Sequence, residues 1–258
     1  MSDDVPCLVI STTTKAGSTG DASMISISAS IRGLAAALFL VSMAAPAQES
    51  GNWDGLIEVK SQRLDSAYLL PGADFRGYTK LMMDPAEVAF AKNWARDYNR
   101  EAVTPSQRLS QEDVERLAQT AREAFTEVFT EAYRAAGMEL VTAPGADVLR
   151  LRAGVVDLDI AAPETMSSGR SRTYTMESGR ATLFLEARDS TTGALLGRAL
   201  DKRTTRNTGR LQLSNSVTNL ADFRALFKQW AEISVKGFQE LRAHSPVPTD
   251  LKPGQKLR

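Results

Sequence analysis

The sequence predicts an α/β (α+β) fold. It is a two-layer sandwich in which a mostly antiparallel or mixed sheet carries two main amphipathic helices on one face. Three observations predict it. Segments 110–136 and 219–244 repeat apolar residues at helical spacing. The stretches between them alternate apolar and polar residues, as half-buried strands do. The order strand, helix, hairpin-connected strands, helix leaves two apolar helix stripes that need a sheet face to bury against.

The elements follow from the N-terminus. Residues 1–23 are rich in Ser, Thr and Gly and carry Asp3, Asp4 and Asp21; they read as a mis-annotated or disordered leader, with translation starting at Met24. Residues 24–47 read as a secretory signal peptide. Arg32 supplies the basic end, Gly33 to Met43 is apolar apart from Ser42, and Ala45-Pro46-Ala47 is an A-x-A cleavage site that would leave Gln48 first. That apolar run is about half of the ~20 residues a membrane-spanning helix needs. The expected location is therefore periplasmic or secreted. Cys7 lies upstream of the cut, so the chain after Ala47 has no thiol for a disulfide, a nucleophile or a zinc site.

Residues 48–66 read as a loose leader or a first short strand, and 67–243 as a single α/β domain. Tyr68 to Tyr78 is punctuated by Pro71-Gly72 and Gly77 and reads as turns. Lys80 to Met83 is a short strand candidate, and Pro85 disfavours helix at Asp84. Ala86 to Ala95 fits either a strand or a short helix. Ser110 to Ala136 is a helix: Ser110 and Asp113 form a capping box, and Gly137 stops it. Val114, Leu117, Ala118, Ala121, Phe125, Val128 and Ala132 make its apolar stripe.

Met138 to Thr142 is a short strand. Asp147 to Ile160 alternates, with Arg150 and Arg152 opposite Leu149, Leu151, Ala153 and Val155. Its apolar phase slips after Val155, which predicts a bulge beside Gly154. Ala161 to Met176 reads as a mobile loop. Arg180 to Arg188 and Ala194 to Lys202 form a hairpin about the turn Asp189 to Gly193. Asn219 caps the second helix, whose stripe of Leu220, Phe223, Phe227, Trp230, Ser234, Gly237 and Leu241 is widened by Leu226, Ile233 and Phe238. Residues 244–258 read as a disordered Pro/Lys-rich tail.

Composition excludes several function classes. Lys and Arg number 31 against 31 Asp and Glu, so no net field attracts nucleic acid or an anionic membrane. The one histidine, His244, falls in the polar tail. Without a thiol or a placed imidazole the common triads are unavailable, and no G-x-S-x-G, P-loop or HExxH follows Ala47.

Carboxylates are the remaining chemistry. Asp157 and Asp159 lie two apart on one strand face and could share a cation, although a single D-x-D lacks the rest of an oxygen cage. Asp84 and Glu87 flank the Asp-Pro turn, and Asp189 is placed to bond the amides of its hairpin turn. The partner-facing candidates are basic: Arg170 and Arg172 in one loop, and Arg203, Arg206 and Arg210 in another. They suit an acidic glycan, a phospholipid headgroup or a protein. No aromatic residues interleave with them, and solvated loops are the simpler reading.

Four segments together resemble the bacterial envelope family known as domain of unknown function 3313: Tyr68 to Tyr78 (YLLPGADFRGY), Met83 to Val88 (MDPAEV), Ala143 to Arg150 (APGADVLR) and Glu186 to Gly193 (EARDSTTG). The helix around Trp230 is similar to the family's closing segment. The likeness spans about 66–241. It implies an α/β domain among outer-membrane lipoprotein-like proteins with no assigned activity and no established catalytic residues. The family's usual lipobox cysteine has no counterpart at Gln48, so the resemblance does not extend to lipid tethering and leaves a peripheral association with the outer membrane.

Three functions remain. The first is a non-catalytic, envelope-associated binding or assembly protein whose partner is an envelope protein or glycan. The second is a secreted hydrolase or metal-assisted enzyme using Asp157, Asp159 or Asp189. The third is a periplasmic carrier holding a small ligand in an apolar pocket between helices and sheet. No cofactor is expected.

Overall fold

The computed structural model describes residues 55–161, 173–175, 178–205, 212–214 and 216–257. Its elements run β1 (Ile57–Val59), β2 (Ser66–Leu69), β3 (Lys80–Met83), β4 (Glu87–Phe90), α1 (Trp94–Glu101), a 3-10 turn at Pro105–Gln107, α2 (Gln111–Ala135), β5 (Glu139–Leu140), β6 (Val148–Ile160), β7 (Thr173–Thr175), β8 (Gly179–Asp189), β9 (Leu195–Thr204), β10 (Gln212–Ser214) and α3 (Ser216–Ala243). Eight strands make one open, mixed sheet ordered β1-β2-β9-β8-β6-β3-β5, with β4 also paired to β6. Strands β7 and β10 form a separate two-stranded ribbon. The α/β sandwich expected from the sequence is the fold observed.

Strand β6 is the spine. On one side it pairs antiparallel with β8 along most of its length. On the other it pairs in parallel first with β3 and then with β4. Glycine makes the second pairing possible: a Cβ at Gly154 would sit 2.2 Å from the Glu87 carbonyl oxygen.

Alternation along the strands separates two sheet faces. One face carries Leu81, Leu149, Leu151, Val155, Ala181 and Leu183, all buried in the core with α2 and α3. Phe125 stacks on Phe129 at 4.1 Å and meets Phe227 edge-on at 5.4 Å, which joins the two helices. The opposite face carries charge. Arg150 bonds Asp84, Arg152 bonds Glu87, and the buried Glu186 is ringed by Arg198, Arg188 and Arg152.

Helix α2 begins and ends as its sequence demands. The Ser110 side chain accepts from the Asp113 amide, and the Asp113 carboxylate accepts from the Ser110 amide. At the other end Gly137 adopts φ 84°. The Gly137 amide donates to the Arg134 carbonyl and the Met138 amide to that of Tyr133, a pair of bonds that closes the final turn.

Several expectations are corrected. The 244–258 tail is ordered through Leu257. Val247 and Leu251 are 1% and 4% exposed, the Val247 amide donates to the Ala73 carbonyl, and Gln255 bridges the β1 edge at Val59. Two apolar side chains seated in core pockets outweigh the Pro/Lys-rich composition that suggested disorder. The leader contains β1, and the turn region opens with β2, held by pairing to β9.

Within the 161–176 loop, β7 forms a strand against β10, while 162–172 lie outside the described residues. Ala86 to Ala95 resolves into β4 and the start of α1, where Trp94 stacks on Phe90 at 4.3 Å. The bulge expected where the apolar phase slips after Val155 is observed between Val156 and Asp159, with Asp157 at φ 50°. Helix α3 starts at Ser216, so Asn219 is a buried helical residue and not the cap. The deepest line of α2 runs through Ala124, Phe125, Phe129 and Tyr133, so the helix turns slightly away from the expected stripe.

Candidate functional site

The two layers do not close evenly. Around Trp230 the core combines large helix residues with small sheet residues: Phe223, Phe227 and Trp230 are buried in the same cluster as Ala153 and Ala181. The Trp230 indole donates to the buried Asp201 carboxylate at 2.7 Å. One to two turns further along α3 the rule fails. Ser234 and Gly237 on the helix lie over Ala67, Ala187, Gly197 and Ala199 on the sheet. Small facing small leaves space, because backbones held apart elsewhere by Trp and Phe cannot approach here.

The space is a cavity of about 710 Å³. Its walls include Leu69, Leu149, Leu151, Leu185, Ile233 and Phe238. The segment 61–64 and the end of the tail, Lys256 and Leu257, close one side. Several partly buried apolar residues of the core line it as well: Leu64, Ala67, Leu185, Ala187, Leu241 and Leu257. A Cβ added at Gly237 would meet no atom within 4 Å.

The polar groups divide by depth. Deep inside, the Tyr133 hydroxyl and Ser234 Oγ bond each other at 2.6 Å. Burial pushes the Tyr133 phenol up to about 12, against a small opposing effect of Ser234, so it stays neutral. At the rim sit Arg63, Glu240, His244 and Lys256. Arg63 Nη1 donates to Glu240 Oε1 at 2.7 Å.

The described residues among those singled out from the sequence lie elsewhere, apart from His244. Asp159 pairs with Arg180 at 2.8 Å, and Asp157 is exposed at the β6 bulge. Among the described residues no three His, Cys, Asp or Glu side chains gather in a metal-binding group. Asp189 accepts from the Thr191 and Thr192 amides and from the Tyr78 hydroxyl at 2.9 Å; the Thr192 amide does most to hold its carboxyl below the usual range.

Arg203 is turned inward, bonding Asp201 and the Arg63 carbonyl. Arg170, Arg172, Arg206 and Arg210 lie outside the described residues, as does the 24–47 segment. Sequence reasoning anticipated a pocket between helices and sheet but not its residues. The available signal was the run of small side chains, Gly197 and Ala199 against Ser234 and Gly237.

A family model described as "Protein of unknown function (DUF3313)" matches residues 47–233. The chain belongs to this family. The DUF3313 match covers the whole sheet and most of α3 but stops short of Ser234, so Gly237, the rim residues after it and the tail lie beyond the matched segment. A search of curated proteins found no match.

Among solved structures, the DUF3313 chain is similar to a PelC dodecamer from Paraburkholderia phytofirmans, at 11% identity over 67% of this chain and 97% of that one, with a TM-score of 0.35. It is similar to a minor lipoprotein from Acinetobacter baumannii at 13% identity, covering 64% and 95% of the two chains, with a TM-score of 0.28. A DUF330 protein from Xanthomonas campestris matches at 13% identity, 69% and 87% coverage and a TM-score of 0.31. Among the described residues no helix is long and apolar enough to cross a membrane.

Proposed function

We propose that the chain is a non-catalytic, envelope-associated binding protein that carries a small apolar ligand between its sheet and α3. One observation carries this reading: the cavity of about 710 Å³ whose inner wall is largely apolar and whose mouth is lined by exposed polar residues. That volume lies within the roughly 300–1,000 Å³ typical of ligand sites. An empty apolar cavity of this size is also a stability cost, since each lost contact weakens the core.

The signal-like segment before Gln48 supports an extracytoplasmic location for the carrier. A carboxylate enzyme has less support, because Asp189 is committed to its turn and Asp159 to Arg180.

Native mass spectrometry of the protein purified without detergent from its own cells tests the proposal. The expected spectrum contains a bound small molecule that solvent extraction removes, on a chain beginning at Gln48. A ligand-free mass after gentle purification would overturn the carrier reading, and a chain retaining residues 24–47 would overturn the address.

A further inference from the structure

Resting on that reading, we infer that the cavity takes a single-chain amphiphile with an anionic head, its acyl chain inside and its carboxylate or phosphate at the rim. Two observations point to this chemistry. The interior offers a ligand little that is polar: Tyr133 and Ser234 hydrogen-bond each other, Arg198 is held by Glu186, and the buried remainder of the wall is aliphatic or aromatic. The buried end of the ligand is therefore apolar, and a polar group there would lose its water without recompense.

The rim has the opposite character and a definite sign. Its one carboxylate, Glu240, is paired with Arg63. Lys256 is exposed, lines the same cavity and has no ion-pair partner among the described residues. Arg63 and Lys256 against Glu240 leave the mouth net positive, which an anionic head would complete. The ammonium is a compact point charge that accepts carboxylate or phosphate alike, so the rim recognises charge rather than one head group. The ordered tail is what puts Lys256 there. The Gln255 bridge to β1 holds the preceding residue against the sheet edge and delivers Lys256 to the mouth.

The test is calorimetric titration of the full chain with four probes of equal length kept below their micellar concentrations: dodecanoate, dodecyl phosphate, dodecanol and dodecylamine. The two anions are expected to bind at least tenfold more tightly than the alcohol, and the amine most weakly. Lengthening dodecanoate by one methylene should tighten binding about fourfold until the cavity is full. Lys256→Glu should erase the anion preference, bringing the acid and the phosphate down to the alcohol's affinity or below it. Gly237→Phe should abolish binding of all four with the fold intact by circular dichroism, and Ala187→Phe, from the opposite wall, does the same if the helix variant misfolds.

Equal affinity for acid, alcohol and amine would overturn the anionic head and leave the apolar carrier standing. Binding of none of the four would overturn both. A preference for dodecyl phosphate over dodecanoate would assign the head to a phosphorylated lipid, and the reverse to a free fatty acid.

Discussion

At the scale of single residues, two positions carry more than their share. Gly154 lets β4 lie against β6, and any side chain there collides with the Glu87 backbone. Gly154→Ala should cost about 3 kcal/mol in urea unfolding, because the clash is with main chain and not with a side chain that can turn away. Glu186 is the second. Its side chain is only 2% exposed, with Arg198 Nη2 at 2.6 Å and Arg188 Nη2 at 2.8 Å. Burial pushes its carboxyl up, and the two guanidiniums more than reverse that, so it ends below the usual carboxylate range. Glu186→Gln leaves three arginines around a neutral amide. The expected loss is about 2–3 kcal/mol by urea titration, at the lower end for a broken buried pair because Arg152 and Arg188 still reach water. Neither role could be read from the sequence. There Gly154 sits beside an expected bulge and nothing singles out Glu186; the backbone Gly154 must clear is on β4, and one of the two arginines that hold Glu186 is on β9.

At the scale of elements, local chemistry was legible and tertiary rescue was not. The α2 cap was readable because Ser110, Asp113 and Gly137 act within a few residues of themselves. Ser110→Ala should accordingly lower stability by about 1 kcal/mol, measured in the same urea assay. The tail is the contrary case. Its prolines and lysines describe a chain unable to pack on its own, yet Val247 and Leu251 are seated in the core and the β1 edge is bridged by Gln255. Ending the chain at His244 should remove both anchors. Burial of two such side chains is worth about 3–5 kcal/mol, which corresponds to a fall in Tm on the order of 10 °C for a domain of this size. The same truncation should speed hydrogen exchange at the Lys60 and Gly72 amides, which donate to Gln255 and Val247. An unchanged Tm would mean that the tail merely rests on the domain.

For the whole molecule, periodicity announced two layers because each helix and strand shows its apolar face in its own sequence. The residues that form the cavity escaped for the complementary reason. The cavity arises where small residues on β2, β8 and β9 happen to face small residues on α3, a coincidence between segments far apart in the chain. The response to acid is likewise a property of the assembled fold. The carboxyls of Glu186 and Asp189 are held below their ordinary values, Glu186 by Arg188 and, across to β9, Arg198, and Asp189 by the amides of its formed turn and the Tyr78 hydroxyl. Carboxylates so depressed stabilise the native state fully above their unfolded pKa values of about 4–4.5 and lose that contribution as pH falls through the lower folded values. Tm should therefore be level from pH 7 to about 5 and fall steeply below about 4. In Glu186→Gln the part of this dependence due to Glu186 is gone, so the stability gap between variant and wild type should narrow progressively as the pH is lowered. A gap that stays constant from pH 7 to 3 would mean that Glu186 acts through packing and hydrogen-bond geometry, with its charge contributing nothing to the fold.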